Sequence, residues 1–257
     1  KVATRFGLQV EELVGDWRFR VDPDRVTAKL KADPAIKAVA LVHNETSTGI
    51  LSDIAAIRRA IDRAEHSALL MVDAVSSLGA VDYRHDEWGV DVTVAGSQKG
   101  LMLPPGLGFN AISQQALSAA QEARLPRSYW DWAPLLDDAE RGFFPYTPAT
   151  NLLFGLDEAL TMLLEEGLDQ VFARHLRFAH ATRSAVTTWN IEVYCRDEEG
   201  HSPTLTAVLM PQGHDADQLR KMILECFDLS LGTGLGPLQG QLFRIGHLGS
   251  INDLMLC

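Results

Sequence analysis

Short apolar strand-like runs alternate with a helical pattern through the first half of the chain, and that alternation is what most restricts its fold. Ile36–His43 (IKAVALVH) is apolar and too short for a stable helix, so it reads as a buried strand. Ser52 stands where a helix N-cap is expected, and Ile54, Ile57, Ile61 and Ala64 recur at helical spacing to about His66. Ala68–Asp73 (ALLMVD) is a second strand and Asp91–Ala95 (DVTVA) a third. Gly106–Ile112 (GLGFNAI), after the breaker Pro104-Pro105, is a fourth. Strand, helix and strand in this order predict an α/β domain: a mostly parallel sheet with helices on both faces. The right-handed crossover rule then sets which face the 52–66 helix covers.

The second half changes in texture. Leu125–Gly142 is rich in Trp, Pro and charge and reads as surface loop and short helix. From Asn151 to about Val186 one long helical pattern runs through Leu152, Leu156, Ala159, Leu160, Leu163, Leu164, Val171, Phe172 and Leu176, with Gly167 inside it as a bend or a boundary. Strands at Ile191–Cys195, Leu205–Leu209 and Leu242–Ile245, with a helix over Ala216–Phe227, predict a smaller C-terminal α+β domain. The expected division is 1–165 for the large α/β domain and 166–257 for the small one.

Charge and cysteine content narrow the function. With 34 acidic against 23 basic side chains the net charge is -11, which repels phosphate backbones, so nucleic acid is not an expected partner. Three cysteines (Cys195, Cys226, Cys257) without close spacing do not make a disulfide framework or a zinc site. They fit a reducing compartment, and the expected location is cytoplasmic, or peroxisomal in a eukaryote. No apolar run is long enough to span a bilayer, and the eight histidines show no ligand spacing, so neither membrane nor metal is expected. The chain begins on Lys1, as if inside a helix, and ends on apolar residues, so it reads as a segment of a longer protein.

Two strand ends carry the most chemistry. Asp73 closes ALLMVD, and Lys99 follows the third strand in Gly96-Ser97-Gln98-Lys99-Gly100, 26 residues on. Ligands of open α/β sheets bind beyond the carboxyl ends of the strands. A lysine and an acid there suit pyridoxal phosphate: the amine holds the aldehyde and the carboxylate keeps the pyridine nitrogen protonated. Taken alone, the same two residues also fit a cap and a solvated lysine. His43-Asn44-Glu45-Thr46-Ser47-Thr48-Gly49 places hydroxyls after the first strand, for a bound ring or for a capped turn. Arg244, within the apolar run Leu242–Ile245, needs a partner: a substrate carboxylate or a structural salt bridge. Gly232-Thr233-Gly234-Leu235-Gly236 lacks the rest of a dinucleotide-binding pattern and reads as a glycine turn. Trp88, Trp130 and Trp132 are expected in core or interface packing rather than as the lining of a pocket, and His85 and His247 on turns or in satisfied packing.

Taken together, HNETSTG, MVDAVSSLGA, VTVAGSQKGLMLPPG, FPYTPATNLLFGL and FRIGHLG resemble the class V aminotransferases, which are fold-type I pyridoxal phosphate enzymes. YRHDEWGVDVTVAGSQKGLMLPPG and LPRSYWDW are most like the serine–glyoxylate branch of that family, beside its alanine–glyoxylate relatives. The resemblance runs in order from near residue 1 to the end. It implies a transaminase passing the amino group of serine, or alanine, to glyoxylate by a ping-pong route, and a homodimer or higher homo-oligomer.

The resemblance also implies roles. Lys99 would be the Schiff-base lysine and the proton carrier. Asp73 would pair with the pyridine nitrogen, Val75 would pack on the ring, Thr46 would contact the ring hydroxyl and Gln98 would help hold the phosphate. Arg244 would bind the substrate carboxylate. Tyr146 and Thr147 would reach the phosphate of the neighbouring subunit. The family pattern also has a stretch before the point matching Lys1, with a Gly-rich phosphate turn and a ring-stacking aromatic; these are not in this sequence, and neither is a final helix. Two alternatives follow: a cofactor-poor, non-catalytic fragment, or a cysteine desulfurase-like enzyme on the same fold, which needs a mobile cysteine.

Overall fold

The computed structural model describes residues 2–256, and the expected alternation is present in it. In chain order the elements are α1 (Val2–Arg5), α2 (Pro23–Ala32), β1 (Ala38–Val42), the hairpin strands β2 (Asn44–Glu45) and β3 (Ile50–Leu51), α3 (Ile54–Arg63), β4 (Leu69–Asp73), β5 (Val92–Gly96), β6 (Gly108–Ile112) and α4 (Gln114–Glu122). There follow α5 (Trp132–Glu140), α6 (Thr150–Glu166), α7 (Leu168–Thr188), β7 (Glu192–Val193), β8 (Leu205–Leu209), α8 (Ala216–Phe227), β9 (Gly232–Thr233), β10 (Leu242–Gly246) and α9 (Asp253–Leu256).

The first sheet has the order β1-β4-β5-β6, parallel for the first three strands and antiparallel at β6. β1 and β4 are adjacent because α3 carries the chain back between them. That helix starts one residue later than its sequence suggests. Asp53, not Ser52, is the cap: Asp53 Oδ1 accepts the Ala56 N–H at 2.8 Å. Ser52 is drawn into the sheet edge instead, its N–H donating to the His43 carbonyl at 2.7 Å. Ile54, Ile57, Ala60 and Ile61 of α3 pack with Val26 and Leu30 of α2 and with Leu70 and Val72 of the sheet. Helix α2 was not expected, yet its start is legible: Asp22 caps it and Pro23 occupies the first turn, where no N–H is needed. The other sheet face presents Ala40, Met71, Val94 and Asn110, all exposed among the described residues.

The long helical pattern is two helices. Gly167, at φ +84°, lies outside the helical region; its N–H closes α6 on Leu163 and its carbonyl opens α7 at Val171. Both helices pack on Leu101, Leu103 and Phe109. The second sheet, β7-β8-β10-β9, is antiparallel throughout and is flanked by α7 and α8. The segment before α2 lies along it: Arg18 Nε donates to the Tyr194 carbonyl at 2.8 Å and Arg20 pairs with Asp197 at 2.7 Å. No helix among the described residues is long and apolar enough to cross a membrane.

Candidate active site

The carboxyl ends of β1, β4 and β5 open side by side. Asp73 ends β4 opposite Val42 of β1 and Val94 of β5. Its Oδ1 accepts the Val75 N–H at 2.9 Å, which orients the carboxylate and leaves Oδ2 without a protein donor among the described residues. Lys99 lies in the loop leaving β5, and that loop is wound around a buried serine. Ser97 Oγ donates to the Pro104 carbonyl at 2.8 Å, and the Ser97 carbonyl accepts from Leu103 at 3.1 Å. Lys99 itself is half-buried, and no carboxylate oxygen lies within 4.0 Å of its amine among the described residues. Only glycine fits next to it: a Cβ at Gly100 would lie 2.2 Å from the Leu78 carbonyl oxygen. The turn after Asp73 therefore presses directly on the lysine loop.

The hairpin between β1 and α3 supplies the third wall. Thr46 Oγ1 is 2.6 Å from Ser76 Oγ, beside Val75. The hairpin is also fastened to the second sheet: the Ser202 N–H donates to the Gly49 carbonyl at 2.9 Å and Asn44 Nδ2 to Thr204 Oγ1 at 3.0 Å. Arg244, on β10, donates from Nη1 to the Thr46 carbonyl at 2.9 Å and from Nε to the Thr233 carbonyl at 2.8 Å. No acid closes on it among the described residues, so the structural salt bridge allowed by the sequence is not what occupies it. Burial, and then the Arg220 guanidinium, push its pKa below the usual arginine value, with Glu45 opposing. A desolvated cation held by carbonyls alone is arranged for an anion from outside.

The structure therefore brings together Asp73, Val75, Thr46 and Arg244, and sets Lys99 on the adjacent strand end. Gln98 is exposed, its side chain folded back over Gly96. Tyr146 and Thr147 are exposed as well, and among the described residues no hydrogen bond ties either to the strand ends. Tyr146 rests instead on Tyr129, with ring centroids 4.9 Å apart. Sequence reasoning passed over Ser76 and Ser77, whose positions in DAVSSLGA mark a turn but not its partners, and gave no role to His43, which is buried with its Nδ1 2.9 Å from Ser77 Oγ. His85 and His247 are satisfied, the latter between Thr206 Oγ1 and the Pro203 carbonyl. Gly232–Thr233 is the edge strand β9 rather than a nucleotide loop. No group of three or more metal-ligating side chains occurs among the described residues.

The chain is similar to known proteins in sequence and in fold. The family model for class V aminotransferases matches residues 1–234. The chain is 47% identical to a serine–glyoxylate aminotransferase of Methylorubrum extorquens, over 99% of this chain and 65% of that protein. It is 46% identical to an L-aspartate–glyoxylate aminotransferase of Paracoccus denitrificans, over 98% of this chain and 64% of that protein. The crystal structure of a ureidoglycine–glyoxylate aminotransferase from Bacillus subtilis superposes with a TM-score of 0.88 at 32% identity, covering 97% of this chain and 64% of that one. The chain thus spans just under two thirds of the length of these relatives.

Proposed function

This chain belongs to the class V aminotransferases, and from that premise we propose that the protein moves the amino group of a small amino acid, serine first and alanine second, onto glyoxylate. The observation that carries the proposal is Arg244: a half-buried guanidinium with no carboxylate partner among the described residues, anchored to the carbonyl of Thr46. Members of the family are pyridoxal phosphate enzymes, and the donor set suits that group. Asp73 Oδ2 is available to a protonated ring nitrogen, the Thr46–Ser76 hydroxyl pair to a ring hydroxyl, and the Lys99 amine to an aldehyde. Val75 would pack on the ring, and Gln98 would join the phosphate. When bound, the cofactor supplies an aldehyde that carries the amino group and a ring that withdraws electrons from the bond at Cα.

The chain's residues do the rest. Arg244 grips the substrate carboxylate and so orients Cα, a positioning effect. Lys99 Nζ removes the Cα proton and returns one on the other side of the transfer. The Asp73 carboxylate holds a proton on the ring nitrogen. Arg244→Gln is expected to lower kcat/KM for serine by roughly 100-fold or more, because a charged bidentate contact is lost. Visible absorbance of the bound cofactor should stay. An unchanged kcat/KM for serine and glyoxylate would sink the substrate assignment.

A cysteine desulfurase-like reading finds no support in the thiols. Cys195 is buried, its Sγ lies against the Asp197 carbonyl, and burial raises its pKa; Cys226 sits on the outside of α8, and Cys257 lies outside the described residues.

The same proposal includes a two-fold dimer. Tyr129, Trp130, Phe143, Phe144, Tyr146 and Phe154, on and beside the segment that carries Tyr146 and Thr147, are all more than half exposed, and a partner subunit would cover them. In such a dimer Tyr146 and Thr147 serve the partner's phosphate. Subunit exchange tests this. Mixing Lys99→Ala with a variant altered at both Tyr146 and Thr147 puts both defects in one site and neither in the other. Activity should recover to at most about half of wild type per dimer. Demonstrated exchange with no recovery would show that the segment does not act in trans.

A further inference from the structure

We propose that His43 is a positioning residue which, through Ser77, sets the placement of Asp73 relative to Lys99. The inference rests on the reading above that Asp73 and Lys99 hold the cofactor.

Ser77 is the hub of the turn that follows β4. Its N–H and hydroxyl both point at the Ala74 carbonyl, at 3.1 and 3.3 Å, and its own carbonyl accepts from Ala80 and Val81, each at 2.9 Å. The turn begins at Asp73, and its far end, Leu78 and Gly79, presses on Gly100, the residue after Lys99. One rigid turn therefore touches both members of the proposed pair. Its middle is tied to the residue that follows β1 by the bond from His43 Nδ1 to Ser77 Oγ at 2.9 Å, with both residues buried, next to the Thr46–Ser76 hydroxyl pair. A second tie, from the His43 N–H to the Asp73 carbonyl at 2.9 Å, fixes the start of the turn.

The chemistry of the bond is defined by its surroundings. The imidazole is walled by Tyr83 and Trp88, with ring centroids 5.2 and 5.8 Å away, so it cannot swing aside. Burial pushes its pKa down to about 4, so it is neutral at neutral pH. His43 Nδ1 and Ser77 Oγ share one hydrogen bond, and Ser77 Oγ also lies 3.3 Å from the Ala74 carbonyl. A histidine present only to fill space could give way to an apolar side chain. A histidine present to make this bond can be replaced only by a side chain with a hydrogen-bonding atom at that point. Asparagine has one: its amide group takes the place of Nδ1.

The test uses the full-length holoenzyme and its cofactor-free form, with His43→Leu, His43→Asn, Ser77→Ala and the His43→Leu/Ser77→Ala double variant. His43→Leu is expected to weaken pyridoxal phosphate binding and lower kcat, each by roughly 10- to 100-fold, as displaced catalytic groups do. KM for the amino donor should change by no more than about threefold, since Arg244 is untouched. The visible absorption band of the bound cofactor should shift, while the melting temperature of the cofactor-free protein stays near wild type. His43→Asn should restore binding, band and rate. Ser77→Ala should reproduce the loss, and the double variant should be no worse than either single one, because both remove the same bond. Wild-type affinity and spectrum in His43→Leu, failure of His43→Asn to recover, or additive losses would each overturn the proposal. Should His43→Leu not fold, Ser77→Ala, which removes one oxygen atom, decides the question by the same readouts. A wild-type protein that does not bind the cofactor would instead defeat the underlying functional reading.

Discussion

Lys99→Ala is expected to reduce transamination by roughly 10,000-fold or more, because one amine is asked to do two jobs: covalent capture and proton transfer. Position singles this lysine out. Lys29 and Lys221 pair with Glu11 and Glu225, and Lys31 and Lys37 are exposed. Lys99 is half-buried at the carboxyl end of a strand, with no acid within ion-pair distance among the described residues. Its loop is held by Ser97 and by the close approach of Gly100 to Leu78, neither of which involves the lysine side chain. Truncation should therefore leave the fold as it is, which circular dichroism and thermal melting would check. The assignment has an independent test in borohydride treatment of the wild-type holoenzyme followed by peptide mass spectrometry. The cofactor should be found on Lys99; finding it on any other lysine overturns the assignment.

Asp73→Asn should cost roughly 100-fold or more in kcat while sparing structure and most of the cofactor binding. An amide oxygen can still accept the Val75 N–H, as Oδ1 does now at 2.9 Å, so the turn is kept. What is lost is the negative charge that keeps the ring nitrogen protonated, and with it the ring's ability to draw electrons from the substrate. Asp73→Ala should be worse in both respects, since it also frees the start of the turn. The comparison is informative because a mere cap predicts the reverse pattern: an active asparagine variant and a destabilised alanine one. Steady-state kinetics, cofactor titration and urea unfolding of the three proteins distinguish the two cases.

Much of the framework was legible from local pattern. Residues 205–209 and 216–227 form the strand and helix their periodicity suggests, because apolar spacing and a capping Asp215 act over a few residues. The placement of Asp73 and Lys99 at strand ends follows from the same local logic. Errors arose where two local signals competed. Ser52 and Asp53 can both cap a helix, and the choice fell to Asp53 because Ser52 is taken by the ladder to His43. The break in the long apolar stripe, by contrast, falls at Gly167, the bend or boundary its sequence offers, where the backbone turns to positive φ.

The sequence by itself determined the α/β class, the strand ends that carry an acid and a lysine, and, through its motifs, the family. These depend on residue types a few positions apart. Only the tertiary structure decided that Arg244 reaches the carbonyl of Thr46 across 198 residues, that Thr46 faces Ser76, and that His43 holds Ser77. Those contacts exist because the second sheet docks on the hairpin and the turn after β4 folds back on Gly100. Docking of that kind depends on the shapes of whole packed surfaces, and no spacing within a single segment encodes it.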